Sequence, residues 1–345
     1  MSTTIAVVLF VAVTAYALFG GADFGAGFWD LIAGGAKRGE RPREVIDHSI
    51  GPVWEANHVW LIFVFVVLWT GFPDAYASIT LTLFVPLTLA AFGIVLRGSS
   101  FAFRKTVFRT RDRRNFGAAF AISSVLVPYC FGTVAGAVAS GRVPAGGVAG
   151  DPWTSWVNPT SVLGGVLAVV VAAYLAAVYL VCDARRISDP SMAAYFRVRA
   201  EVAAVVAGLV AIPGIFILRS DARYLFDGLT SRALPLVIAS AICGTASLFL
   251  LRRGTADRYA RAFSMAAVVS VVVGWGVAQW PYILPTSLKV SAAAAPSGTL
   301  NALLVATIGA VVIVLPGFIL LYVLDQRSLL PGEGVTTPAE AEQPA

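Results

Sequence analysis

Charge is what this sequence has least of. Aspartate, glutamate, lysine and arginine together make up 13 % of its 345 residues, about half the share usual in soluble domains. Hydrophobic residues make up 58 %, and mean hydropathy is +0.81. Such a chain could not cover an aqueous surface, which excludes soluble enzymes, secreted modules and disordered regulators. Histidine is nearly absent, with only His48 and His58, and methionine stands at three. Two membrane haems held in the usual bis-histidine manner would find no ligand set here. The three cysteines, Cys130, Cys182 and Cys243, lie far apart inside apolar runs. No CxxC pair links them, which argues against a disulfide framework or a metal site. No Walker loop, dinucleotide fingerprint or CxxCH is present. The amino end lacks a short apolar stretch followed by a small-residue cleavage site, and its first apolar run is long enough to stay as an anchor.

Long apolar runs fill what remains. A bilayer crossing takes about 20 mostly apolar residues. Nine segments qualify, at about 3–33, 52–70, 75–96, 117–140, 160–182, 200–218, 234–251, 262–282 and 301–324. The expected fold class is all-α: a polytopic transmembrane helical protein of nine spans, whose number allows two four-helix bundles plus one peripheral helix. Residues 1–330 read as a single transmembrane domain, and the polar, acidic, proline-containing residues 331–345 as a disordered cytoplasmic tail. Twenty of the 25 basic residues fall in odd-numbered loops or just after the ninth span. Basic residues resist translocation, so these loops and the tail are expected in the cytoplasm and the amino end outside. In this count Arg97 belongs to a cytoplasmic loop at about 97–116 that carries seven basic residues against Asp112. The net charge of +6 is thus a topology signal, with membrane lipid as its partner and no nucleic acid.

Ionisable side chains near the middle of a span cost about 2.5–3.5 kcal/mol each by insertion scales, so those present are functional candidates. They concentrate in the first two spans. Asp23 lies well inside the first, and Asp30 two turns further along the same face. Gly25 and Gly27, with Gly21, form a small-residue face that admits a neighbouring backbone or water. Two readings stay open for Asp23: a tight helix contact hydrogen-bonded to a partner helix, or a protonatable relay position. The second span opens with GlyProValTrpGluAlaAsnHisValTrp, residues 51–60. Glu55 and His58 stand at i and i+3 on one face, with Trp54 and Asn57 beside them. A carboxylate at a helix amino end, a core imidazole and an interfacial tryptophan belt explain each residue singly. Together they also fit a hydrogen-bonded wire, because low dielectric disfavours a carboxylic acid's charged form and brings proton exchange nearer to neutral pH. Asp47, Asp183 and Glu201 are expected at solvated helix ends. TrpProTyrIleLeuProThrSer, residues 280–287, suggests a fixed non-helical corner.

Asp23-Phe24-Gly25-Ala26-Gly27, followed by Gly51-Pro52-Val53-Trp54-Glu55-Ala56-Asn57-His58-Val59-Trp60-Leu61, resembles subunit II of bacterial cytochrome bd, the quinol oxidase. The likeness continues through Asn158-Pro159 with Gly164, Pro281 with Pro285-Thr286-Ser287, and Leu315-Pro316 with Leu320-Leu321-Tyr322. This resemblance implies a multi-pass protein of the bacterial plasma (inner) membrane, paired with a haem-bearing subunit I, in some cases with small single-helix subunits. The partner would carry two haems b and one haem d, and quinol and oxygen would react there. This chain would ligate no cofactor, no metal and hold no complete active site, while a quinone or lipid could sit between its helices. By the same resemblance, Asp23 and Glu55 belong to a proton path from the cytoplasm; the clustering of titratable groups in the first two spans adds Asp30 at its mouth and His58 beside it, with Trp54, Asn57, Gly25 and Gly27 in support. Two rivals are a stand-alone proton-coupled secondary transporter, for which no inverted repeat is evident, and a purely structural subunit.

Overall fold

The computed structural model describes residues 1–50, 54–106, 110–254 and 257–326. The expected tail at 331–345 and the Gly51-Pro52 opening of the second-span motif lie outside the described residues. Helices dominate, because a chain with so few polar side chains must satisfy its backbone internally wherever water is absent. The first is α1 (Ser2–Leu31), followed by the polar α2 (Ala36–Ile50) and then α3 (Trp54–Gly71). After these come α4 (Pro73–Thr82), α5 (Phe84–Thr106), α6 (Thr110–Ala139), α7 (Pro159–Arg186) and α8 (Pro190–Asp221). The chain ends with α9 (Arg223–Thr230), α10 (Leu234–Arg253), α11 (Asp257–Gln279), α12 (Val290–Ala293) and α13 (Ser297–Gln326). Between α11 and α12 lies a two-stranded antiparallel hairpin, β1 (Tyr282–Leu284) and β2 (Leu288–Lys289). Among the described residues eight helices are long and apolar enough to cross a membrane, or nine crossings if α3 and α4 count as one broken span.

Two expectations need correction. The third expected span, 75–96, is not one helix. Its first part is α4, turned 120° from α3 at Phe72, and the crossing helix α5 starts only at Phe84. The residue before a proline is pushed away from helical geometry, so Phe72-Pro73 breaks the chain, and Pro86 fits the first turn of α5. The break inside the expected span falls at Leu83, between α4 and α5, and hydropathy alone runs straight through it. Second, the loop expected at about 97–116 is largely helical, with α5 reaching Thr106 and α6 starting at Thr110. Arg97 therefore sits inside an apolar helix instead of on a cytoplasmic loop.

The crossing helices pack as two groups of four. In one, α1 contacts α3 and α6, and α5 lies along α6. In the other, α7, α8, α10 and α11 close a ring. The groups join where α1 and α6 meet α7, while α13 rests on α3 at the edge. Small residues bring the backbones together, as expected where packing, not hydrophobicity, drives association. A Cβ on Gly25 would collide with the carbonyl group of Ala172 in α7, and one on Gly132 with the carbonyl of Gly164. Trp29 fixes the same seam by donating its indole N–H to the Ala173 carbonyl at 2.8 Å. By contrast, α8, α10 and α13 bury little and expose residues such as Phe216, Ile242 and Ile313, a surface suited to hydrocarbon. The corner expected at 280–287 is present as the hairpin, entered through a cis Trp280–Pro281 bond. Gln279 Nε2 ties it down by donating to the Ile283 carbonyl at 2.8 Å.

Candidate functional site

The first four-helix group holds Asp23, Asp30, Asn57 and His58. Along α1, Asp23 and Asp30 are seven residues apart, two turns along one face and roughly 10 Å of helix rise. Both are buried, at 5 % and 4 % exposure. Asp23 meets Arg97 of α5 in a two-toothed ion pair, with Nη1 donating to Oδ2 at 2.8 Å and Nη2 to Oδ1 at 2.7 Å. The same guanidinium donates from Nη2 to the Asp23 carbonyl at 3.3 Å and from Nε to Ser124 Oγ of α6 at 3.0 Å. Its flat faces lie near the rings of Phe24 and Phe120, at 4.9 and 4.7 Å. Arg97 is only 1 % exposed. Ser124 approaches this closely because Gly27 has no side chain: a Cβ there would collide with the Ser124 hydroxyl group. Paired fork-to-fork bonds of this kind combine charge with directional fit.

Asp30 is held differently. Arg43 of α2 donates from Nε to its Oδ1 at 2.6 Å and from Nη2 to the Gly34 carbonyl at 2.7 Å. Gly34, at φ +102°, makes the turn that folds α2 back on α1. Arg43 is 27 % exposed, so this second acid is one side chain away from the surface.

Of the other sequence candidates, Asn57 is buried in α3. His58 lies between the rings of Tyr16 and Phe24, with centroids 6.4 and 6.1 Å away. The backbone of Trp54 and Glu55 forms the first turn of α3, which puts Glu55 one turn from His58; the side chains of Trp54 and Glu55 lie outside the described residues. Gly25 serves the α1–α7 contact and Gly27 the Ser124 approach. Among the described residues no group of three or more His, Cys, Asp or Glu is placed to hold a metal ion.

Of the two readings open for Asp23, the geometry contains the bonded contact to a neighbouring helix, and the partner is a cation. Sequence reasoning missed that cation. The one signal for it was the need of a buried carboxylate for a counter-charge, set against an arginine directly following the apolar run to Leu96. Asp183 was also misjudged: it is buried and accepts from Arg261 Nη2 at 2.7 Å. Away from this group, Asp221 closes the α7–α8 end by accepting from both Arg142 Nη atoms at 2.5 and 3.1 Å and from Thr160 Oγ1 at 2.6 Å.

The family described as cytochrome bd terminal oxidase subunit II matches residues 1–325. Cytochrome bd-I ubiquinol oxidase subunit 2 of Escherichia coli (strain K12) is 24 % identical over 316 residues, covering 82 % of this chain and 81 % of that one. Cytochrome bd ubiquinol oxidase subunit 2 of Bacillus subtilis (strain 168) is 27 % identical over 147 residues, 42 % of this chain and 43 % of that protein. The bd oxidase structure from Geobacillus thermodenitrificans contains a chain of the same fold, with a TM-score of 0.79 at 24 % identity over 94 % of this chain and 98 % of that one.

Proposed function

Since the chain belongs to the cytochrome bd terminal oxidase subunit II family, we propose that it acts in aerobic respiration as the haem-free half of a quinol:oxygen oxidoreductase, supporting a haem-bearing subunit I and conducting protons toward it. In this reading the two haems b, haem d, quinol and oxygen all belong to the partner. The basic loops face the cytoplasm and the amino end faces out, following the distribution of positive charge. The observation that carries the proton role is the pair of buried acids on α1, Asp30 beside the partly exposed Arg43 and Asp23 two turns deeper against Arg97.

Asp30 takes protons at the cytoplasmic mouth, with Arg43 as its tether. Asp23 and Glu55 relay them, and His58, Asn57 and Trp54 order the wire. Asp23 can take a proton only if Arg97 surrenders one of its two carboxylate bonds. Ser124 Oγ and the Asp23 carbonyl still hold the guanidinium while that happens. The ion pair therefore works as a latch on the path. Protons drawn from one side only make turnover electrogenic, storing about 2.3 kcal/mol per charge for each 100 mV. The test is Glu55→Gln in the assembled complex, checked for haem content. Quinol-driven oxygen consumption and the proton-uptake signal should both fall. Wild-type values for both would remove the relay.

A purely structural subunit is the second reading, and the two-toothed Asp23–Arg97 pair favours it, since such a pair also fastens helices. The same variant separates the two, because loss of one carboxylate with assembly intact leaves a scaffold unaffected.

A further inference from the structure

Tyr16 stands seven residues before Asp23, so Tyr16, Asp23 and Asp30 make one stripe along α1. The two acids are each held by a guanidinium, but the tyrosine is not. Its Oη is buried and has no hydrogen-bond partner among the described residues. The same is true of Nδ1 of His58. The two rings face each other from α1 and α3 with centroids 6.4 Å apart and planes tilted by 47°. Phe131 of α6 closes the site edge-on to Tyr16 at 5.8 Å, and Phe24 lies against His58. The tyrosine ring lies over Gly20, where a Cβ would come within 2.9 Å of its Cε2 atom. Glycine at position 20 thus lets the ring lean along the helix toward the Asp23 turn.

Buried hydroxyl and imidazole groups almost always find a partner, and where no protein group is in reach an ordered water supplies it. Phenylalanine at position 16 would fill nearly the same volume without burying an unpaired hydroxyl. We propose that Tyr16 Oη and His58 Nδ1 together bind one internal water, and that this trio is the station of the proton path beyond Asp23. The second half of the inference rests on the relay reading above. In the transfer step a proton arriving at Tyr16 Oη displaces the hydroxyl proton onto the water. The water then passes one of its own protons to Nδ1 of the Nε2–H imidazole, and the imidazolium releases a proton from Nε2. The ring returns to its starting tautomer by moving its remaining proton from Nδ1 back to Nε2 before the next transfer. Every oxygen ends with the protons it began with, and no oxidant or reductant is needed.

Two measurements on the intact complex decide the matter. A map of the unaltered particle fine enough to show waters should contain one within about 2.6–3.2 Å of both atoms; apolar packing there instead overturns the site. Tyr16→Phe, with assembly verified by haem absorbance, should lower quinol-driven turnover roughly tenfold and enlarge the solvent deuterium isotope effect, with KM for quinol unchanged. If Tyr16→Phe keeps wild-type turnover and isotope effect while Glu55→Gln is slow, the station is wrong and the relay stands. If both variants behave as wild type, the relay falls as well. Should Tyr16→Phe fail to assemble, the map of the unaltered complex decides alone.

Discussion

Removing the Asp23 carboxylate should damage the protein through Arg97 before it damages any proton path. The side chains of this pair are 3 % and 1 % exposed, so a guanidinium left behind by Asp23→Asn is shut off from bulk solvent. Breaking a buried pair from one side costs about 3–5 kcal/mol. An ordinary interhelical hydrogen bond in a membrane averages only about 0.6 kcal/mol in double-mutant cycles. The two magnitudes are far enough apart to be distinguished. Replacing both partners with apolar residues of similar bulk is often neutral or even stabilising, so Asp23→Leu with Arg97→Met should recover most of the loss. The assay is thermal or denaturant stability of the purified complex for the wild type, Asp23→Leu, Arg97→Met and the double variant. Large single losses with a much smaller double loss give a strong coupling energy. Single losses of about 0.6 kcal/mol, or a double loss equal to the sum of the singles, would refute the picture of a buried, mutually dependent pair. This cycle also sets how activity data are read. Low turnover in Asp23→Asn reports on relay chemistry only after the stability term has been separated from it.

Gly25→Ala should cost about 1–3 kcal/mol in complex stability, because the new methyl group meets the Ala172 backbone and not a side chain that can swing away. Gly21→Ala, whose Cβ would lie an ordinary 3.9 Å from Leu175 Cδ1, is the control and should melt with the wild type. Asp189 caps α8 by accepting from the Ser191 hydroxyl at 2.7 Å and the Met192 backbone N–H at 3.1 Å, and it also accepts from Arg41 at 2.9 Å. The Ser191 and Met192 bonds, then Arg41, push its carboxyl down to about 2. With the folded value below the unfolded one, its contribution is complete above about pH 5 and is lost as pH falls from about 4 toward 2. The melting difference between wild type and Asp189→Asn should therefore be flat from about pH 8 to 5. A difference that shrank on passing from about pH 8 to 6 would contradict the cap.

Most crossing helices were legible because their information is one-dimensional: about 20 apolar residues in a row have few other fates. The corner at 280–287 was legible for a similar reason, since two prolines in five positions forbid a regular helix. What failed was anything decided by pairing. Arg97 sits next to Gly98, Ser99 and Ser100, and a basic residue before small polar ones resembles the flank of a span. Only the location of Asp23 on another helix makes it an interior residue. Asp183 failed in the same way, because Arg261 comes 78 residues later. The α3–α4 boundary at Gly71-Phe72-Pro73 fell between two expected spans, but the second break, at Leu83, lies inside an apolar run in which hydropathy gave no interruption. Asp23, Asp30 and His58 were singled out as residues, while their partners Arg97, Ser124, Arg43 and Tyr16 were not. Geometry between helices is not carried by any local pattern.

The Asp23–Arg97 contact also has a history during synthesis. The acid leaves the ribosome 74 residues ahead of the arginine, an interval of roughly 4–15 s at translation speeds of about 5–20 residues per second. For that time the first helix must be handled by the insertion machinery with its acid uncompensated. Only when the helix bearing Arg97 arrives can the bundle be sealed, so closure waits on the arginine.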